Sequence, residues 1–245
     1  MCRVARDGRR HVLAMGGFGA VPGTDANGVP LLVRCAADLA GGDAPRICLL
    51  NTAMGDEPGG FLRSYSALAG LPSRVSHLQL FPMPSAPDPA ALLLSQDIIF
   101  VGGGSVANML AVWRVHGLDQ IMRQAWEAGI VLCGVSAGAI CWFAGGTTDS
   151  FGELRPFTGG LGFLDCSYSP HYDSEPGRRP LYQKLVGEGS LPSGIACDDG
   201  TAAHFIDGEL AEAVTDRAGA AGYRVERDGD GAVTETVIEP RLLGA

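Results

Sequence analysis

The sequence predicts an α/β protein: a mostly parallel sheet with helices on both faces and a C-terminal β-hairpin region at about 208–240. Three observations predict it. Short β-branched or apolar runs alternate with helix-length segments through residues 11–143. One of these runs breaks sharply at glycine and restarts as an apolar segment, the layout of a strand feeding directly into a helix. From residue 208 onward the pattern changes to short strands separated by turn residues.

The strand-like runs are 11–15, 46–50, 75–81, 97–101 and 130–134. Between them, 31–40 and 61–69 carry apolar residues at helical spacing, and Val106, Met109, Leu110 and Trp113 form a stripe at i, i+3, i+4 and i+7. Parallel neighbours need a crossover, so this alternation implies βαβ units and a sheet covered on both sides, with ligands at the carboxyl ends of the strands. In the tail, Asp228-Gly229-Asp230-Gly231 reads as the turn between strands at 223–226 and 233–237, expected to extend or edge the sheet.

No Pro- or Ser-rich linker divides the 245 residues, so 1–245 reads as one domain. The net charge is −9 and the 18 Lys and Arg residues are scattered, which argues against a phosphate-backbone face and hence against nucleic acid as partner. No apolar run approaches the ~20 residues of a membrane span, and the stretch from Met1 to Asp7 lacks a signal-peptide core, so a cytoplasmic protein is expected. Seven cysteines, at 2, 35, 48, 133, 141, 166 and 197, include no C-x-x-C pair, which suits reduced thiols packed as small apolar groups rather than disulfides or a zinc site. Oligomeric state is not encoded legibly, and a homodimer is compatible with the sequence.

The segment from Ile130 to Phe143 contains Gly134-Val135-Ser136-Ala137-Gly138, a G-x-S-x-G match directly after a buried-strand run and directly before an apolar helical pattern. In a Gly-rich chain the five-residue pattern alone is weak, but this context is what a nucleophile elbow requires. A serine on so sharp a turn is pushed out at the sheet edge, and small neighbours let the backbone pass close to itself and to substrate.

A serine hydroxyl needs a base. His204 lies in a strand-like run and reads as structural, whereas His171, in Ser169-Pro170-His171-Tyr172-Asp173, lies in a polar loop where an imidazole can exchange protons. The carboxylate that would hold the imidazole is not chosen by spacing: Asp149, Asp165, Asp173, Glu175, Asp198 and Asp199 are all candidates. Asp198 and Asp199 end a probable strand at 194–197, which would set a carboxylate at the sheet edge.

Developing negative charge needs fixed N–H donors. Ala137, at the start of the elbow helix, offers one. Val101-Gly102-Gly103-Gly104-Ser105 offers others, because it follows a buried strand and opens a helix with Ser105 as N-cap. That run lacks the Lys-Ser/Thr of a P-loop and the G-x-G-x-x-G spacing, which argues against a nucleotide site. Cys133 and Cys141 flank the elbow but read as buried and inert, and His171, Asp173 and Glu175 lack a second histidine at metal-ligand spacing. A site free of metal and cofactor is expected.

Together these residues resemble the peptidase E family, the aspartyl dipeptidases and their relatives including cyanophycinase. The resemblance covers most of the chain. It is carried by Ala14-Met15-Gly16-Gly17-Phe18-Gly19, Leu50-Asn51-Thr52-Ala53-Met54-Gly55-Asp56, the Gly102–Gly104 run, the elbow, Pro170-His171-Tyr172 and Asp198-Asp199-Gly200. The run Leu110-Ala111-Val112-Trp113-Arg114-Val115-His116-Gly117 and Cys141-Trp142-Phe143 look closer still to a bacterial peptidase E-like branch.

The resemblance implies a flavodoxin-like, class I glutamine amidotransferase-like fold and a triad in the order Ser, His, acid. Ser136 matches the nucleophile and His171 the base. Asp199 stands where the family has glutamate, one methylene shorter, with Asp198 and Asp149 as alternative acids, and Gly103, Gly104 and Ala137 would supply the oxyanion hole. Ser105 departs from the family's asparagine, which could change substrate hydrogen bonding. Arg178 and Arg179 are the candidates for the basic environment that selects an aspartyl side chain in the dipeptidases. The expected activity is thus hydrolysis of short peptides, dipeptidase E-like and aspartyl-selective, through an acyl-enzyme on Ser136. An esterase, amidase or acyltransferase with the same chemistry, or a non-catalytic α/β binding module, are the alternatives.

Overall fold

Side-chain alternation in the first strand sets the layers. In β1 (His11–Met15), Val12 and Ala14 join one apolar cluster, Leu13 and Met15 the other, and all four are buried. A period of two with both faces covered is the mark of a strand inside a wound sheet. The computed structural model describes residues 8–244. The N-terminal heptapeptide read above, with Cys2, lies outside the described residues.

The chain continues through α1 (Leu31–Ala40), β2 (Arg46–Leu50), α2 (Pro58–Leu68), β3 (Arg74–Leu78), α3 (Pro89–Leu94), β4 (Ile98–Val101), α4 (Val106–Val115), α5 (Leu118–Glu127), β5 (Val131–Val135) and the one-turn α6 (Ala137–Ile140). It then runs through β6 (Phe143–Thr148), β7 (Arg155–Phe157), β8 (Leu164–Ser169), α7 (Arg178–Gly187), β9 (Gly194–Cys197), β10 (Thr201–Ile206), β11 (Glu209–Thr215), β12 (Gly222–Arg227), β13 (Val233–Ile238) and β14 (Arg241–Leu242).

Two sheets result. The first has the order β14-β11-β10-β1-β5-β4-β2-β3, in which β1, β5, β4, β2 and β3 are mutually parallel and β10 and β11 extend it antiparallel. The second has the order β13-β12-β9-β8-β6-β7, with β6, β8 and β9 parallel and hairpin partners at its edges. On one face of the first sheet, Leu32 and Val33 of α1 and Phe61 and Leu68 of α2 bury Leu13, Met15 and Phe100. On the other, Met109, Trp113 and Met122 of α4 and α5 share a core with Tyr168 and Ile195 of the second sheet. Tyr182, Leu185 and Val186 of α7 close the far side of the second sheet against Ala196 and Val225.

The α/β class holds, and four local readings change. The strand expected over 75–81 ends at Leu78, because Gln79 and Ser85 close a loop on each other through two 3.0 Å bonds. The helix expected from 61 begins at Pro58, where Glu57 caps two N–H groups at 2.8 Å and proline fixes the first turn. The helix after the elbow is a single turn, and Phe143 already opens β6, whose Gly145 and Gly146 register with Ser167 and Tyr168 of β8. The tail divides between the sheets: β11 pairs with β10 in the first, and the β12–β13 hairpin edges the second. No helix among the described residues is long and apolar enough to cross a membrane.

Candidate active site

β5 delivers Ser136 to the carboxyl end of the first sheet, where the chain turns hard. Ser136 has φ 55° and ψ −117°, its N–H donates to the Met15 carbonyl at 3.0 Å, and α6 starts at the next residue. A non-glycine residue there is strained, which is the conformation that lifts an elbow side chain clear of the sheet. The turn closes only because its flanks lack side chains: a β-carbon on Gly134 would lie 2.1 Å from the Gly138 carbonyl, and one on Gly138 2.3 Å from that of Val101.

His171 comes from the second sheet, on the loop after β8, and is itself at φ 52°. Its Nε2 lies 2.9 Å from Ser136 Oγ and its Nδ1 2.7 Å from Asp199 Oδ1. Asp199 sits in the connection from β9 to β10, the point at which the chain crosses from the second sheet to the first. The bond to His171 holds the Asp199 carboxyl below the usual carboxylate range against the opposing effect of burial. An ionised Asp199 accepts from Nδ1–H, which leaves Nε2 to accept from the serine hydroxyl.

Two further residues fix the backbone of Asp199. The Asp199 N–H donates to Asp173 Oδ1 at 2.9 Å, the Arg217 Nε–H donates to the Asp199 carbonyl at 3.1 Å, and Arg217 also pairs with Asp173. The acid's backbone is thereby strapped to the histidine loop. Gly17, after β1, completes the setting, since its N-terminal neighbours lead into a parallel bridge with Asp199 and its carbonyl accepts from Gly200 at 2.8 Å.

The other acids are placed elsewhere. Asp198 is buried and its Oδ2 accepts from Ala221 N–H at 2.9 Å and the Tyr223 hydroxyl at 3.3 Å, while burial raises its pKa. Asp149 is exposed and stands 3.9 Å from Arg178, Glu175 accepts from Arg178 at 2.7 Å, and Asp165 is exposed at the start of β8. His204 is buried in β10 with Nε2 2.9 Å from His11 Nδ1.

Gly103 packs against Ser136: a β-carbon there would be 3.3 Å from Ser136 Cβ and 3.9 Å from Oγ. The N–H groups of Gly103, Gly104 and Ala137 donate to no protein acceptor among the described residues. Ser105 caps α4 by accepting from Asn108 N–H at 3.2 Å.

The two arginines expected to greet an acidic substrate are engaged internally. Arg178 is 2% exposed and donates to Glu175 and, at 2.6 Å, to the Thr147 carbonyl. Arg179 pairs with Glu235 and lies over the Tyr172 and Tyr223 rings. The thiols beside the elbow, Cys133 and Cys141, are fully buried, and burial pushes both thiols well up.

A cleft of ≈ 320 Å³ opens beside Gly103 and Val135, walled by Phe18, Phe100, Met54 and Arg63. Phe18, Met54, Gly103 and Val135 of this lining, and Gly17 beside the acid, lay in quoted motifs, and Asp173 was a candidate acid, whereas Arg63 and Arg217 carried no sequence signal.

The chain is similar to known proteins over most of its length. The profile of peptidase family S51 matches residues 20–213. A Bacillus subtilis (strain 168) protein named "Uncharacterized peptidase YgaJ" is 48% identical over 183 residues, which cover 75% of this chain and 79% of that one. The crystal structure of a peptidase from an acI-B1 actinobacterium superposes with a TM-score of 0.66 at 17% identity, covering 95% of each chain. A putative peptidase E protein from Listeria monocytogenes EGD-e gives a TM-score of 0.61 at 19% identity, covering 84% of this chain and 98% of that one. At such identities the two structures speak for the fold alone.

Proposed function

This chain belongs to peptidase family S51 and is a serine-type peptidase of the peptidase E-like kind, and on that premise we propose that it hydrolyses short peptides through an acyl-enzyme on Ser136. The observation that carries the reading is the continuous relay from Ser136 Oγ to His171 Nε2 at 2.9 Å and from His171 Nδ1 to Asp199 at 2.7 Å.

In this reading Ser136 Oγ attacks the scissile carbonyl as His171 takes its proton. The imidazolium is stabilised by Asp199, whose ionised state the bond to His171 favours. The N–H groups of Gly103, Gly104 and Ala137 receive the oxyanion, and because they are fixed before the reaction they need no reorganisation as charge develops. His171 then gives its proton to the leaving amine, and a water activated by the same imidazole releases the acid and restores Ser136. The acidic chain and its six described free cysteines support a cytoplasmic site of action.

The test is labelling with a small fluorophosphonate followed by peptide mapping. Modification at Ser136, with loss of dipeptide hydrolysis in proportion, is the expected result. Undiminished hydrolysis by Ser136→Ala would exclude it.

A further inference from the structure

We propose that the cleft beside Gly103 and Val135 receives the side chain of the residue whose carbonyl is attacked, and that it selects an apolar side chain of the leucine, methionine or phenylalanine class over an acidic one. The inference rests on Ser136 being the nucleophile.

Gly103 lies against Ser136, and Val135 is the residue before it, so both reach the cleft from the immediate surroundings of Oγ. A substrate acylating Ser136 would leave its own side chain within reach of this opening.

Chemistry decides the class. The cleft adjoins a second hollow of ≈ 50 Å³, with which it shares Phe18, Ser64, Ala67 and Phe100 and which is otherwise lined by Val33, Leu49 and Leu68. Among the described residues, nothing cationic lines that hollow. A carboxylate placed there would lose its water without gaining a partner, whereas an aliphatic or aromatic side chain would exchange water for packing. Arg178 and Arg179, the cations that would favour an aspartyl group, are committed to Glu175, Thr147 and Glu235 and do not line the cleft.

The cation that does line it is Arg63. Its side chain is 68% exposed and stands 3.8 Å from Glu57, whose two oxygens already cap Gly59 and Gly60. An exposed guanidinium at the rim suits a carboxylate that stays outside the apolar pocket, as the C-terminal carboxylate of a dipeptide does one residue beyond the scissile bond.

The experiment uses Leu-Leu, Met-Leu, Phe-Leu and Asp-Leu, each as free acid and C-terminal amide, with fluorophosphonate labelling of Ser136 measured in parallel. The apolar set is expected to exceed Asp-Leu in kcat/KM by about tenfold or more. Ala67→Trp, which fills the inner cleft, should erase that advantage while Ser136 still labels. Arg63→Ala should raise KM for the acids and not for the amides. Preference for Asp-Leu by a protein that labels normally overturns the apolar pocket and leaves the acyl-enzyme standing. Unaltered selectivity in a labelling-competent Ala67→Trp overturns the pocket's location, and equal effects of Arg63→Ala on acids and amides overturn the role of Arg63. Absence of both labelling and turnover removes the nucleophile reading, and the pocket with it.

Discussion

A β-carbon on Gly17 would fall 1.9 Å from Oδ1 of Asp199, the oxygen that accepts from His171, and 2.8 Å from the imidazole ring itself. Neither Asp199 nor His171 can keep its place beside any other residue at position 17. Both are side chains, so the fold can yield to a methyl group, but the relay cannot. Gly17→Ala is therefore expected to retain its thermal transition within a few degrees and lose roughly 10²-fold or more in kcat, the scale of an ångström's misplacement in a catalytic group. Circular dichroism melting alongside steady-state kinetics checks both halves, and full activity in a folded Gly17→Ala protein would refute the constraint.

The elbow stores strain in Ser136, whose φ of 55° and ψ of −117° suit glycine. Ser136→Ala and Ser136→Gly should both be inactive, yet the glycine variant should unfold at a higher urea midpoint, corresponding to about 1 kcal/mol more stability, because only it relieves the strain. Cys133→Ser, fully buried one strand residue before Gly134, should still label at Ser136. Equal stability of the two Ser136 variants would contradict the strained elbow.

Among the acids, Asp199→Asn is expected to lower kcat by about 10²–10⁴-fold with little change in KM, since an amide cannot stabilise the imidazolium. Asp198→Asn and Asp149→Asn should be milder, because neither contacts His171. Stopped-time assays under substrate saturation distinguish them.

Asp173 and Arg217 act on Asp199 through its backbone. Asp173→Ala frees both the N–H bond and the arginine, and should cost about tenfold in kcat. Asp173→Asn keeps an acceptor for the Asp199 N–H and should recover part of that loss. An Asn variant no better than Ala would argue that charge, not position, is what Asp173 contributes.

His204 links stability to pH. Burial, aided by the neighbouring His11, lowers its pKa from 6.5 to about 4. Between these values the unfolded chain takes up a proton that the native protein refuses, so stability falls as pH drops from 6.5 towards 4 and levels off below. The contribution is on the order of 2 kcal/mol between pH 7.5 and pH 5. Urea midpoints at those two pH values should differ less in His204→Gln than in the wild type, and an identical difference would exclude the histidine.

The parallel core was legible because its strands are continuous apolar runs, and the turn at Ser136 because glycine and serine must occupy those positions to make it. The second sheet was legible only in part: β9, β12 and β13 stand where strands were read at 194–197, 223–226 and 233–237, but nothing in the pattern separates them from the first sheet, and β6 carries Gly145 and Gly146, which pack by absence and leave no hydrophobic period to read. Ser136, His171 and Asp199 stand together, and which acid reaches His171 follows from where the β9–β10 crossover lands, which no spacing reveals. Arg178 and Arg179 read in the sequence as cations available to an acidic substrate. One became a buried brace because Glu175 and Thr147 surround it, and the other closed on Glu235 across 56 residues of chain.

Ser136 rides on the first sheet, His171 on the second, and Asp199 on the strand-to-strand crossing between them, with the Tyr168 hydroxyl bonded to the Ala14 carbonyl at 3.0 Å and Phe143 wedged between Tyr168 and Phe205 as the mortar of that junction. The proposed proton relay is thus a seam stitched across two plates. A slip of one plate over the other by a bond length would silence the enzyme with every strand still intact. Turnover is accordingly a more sensitive gauge of the junction than any measure of secondary structure, and in dilute urea or under pressure it should fail first.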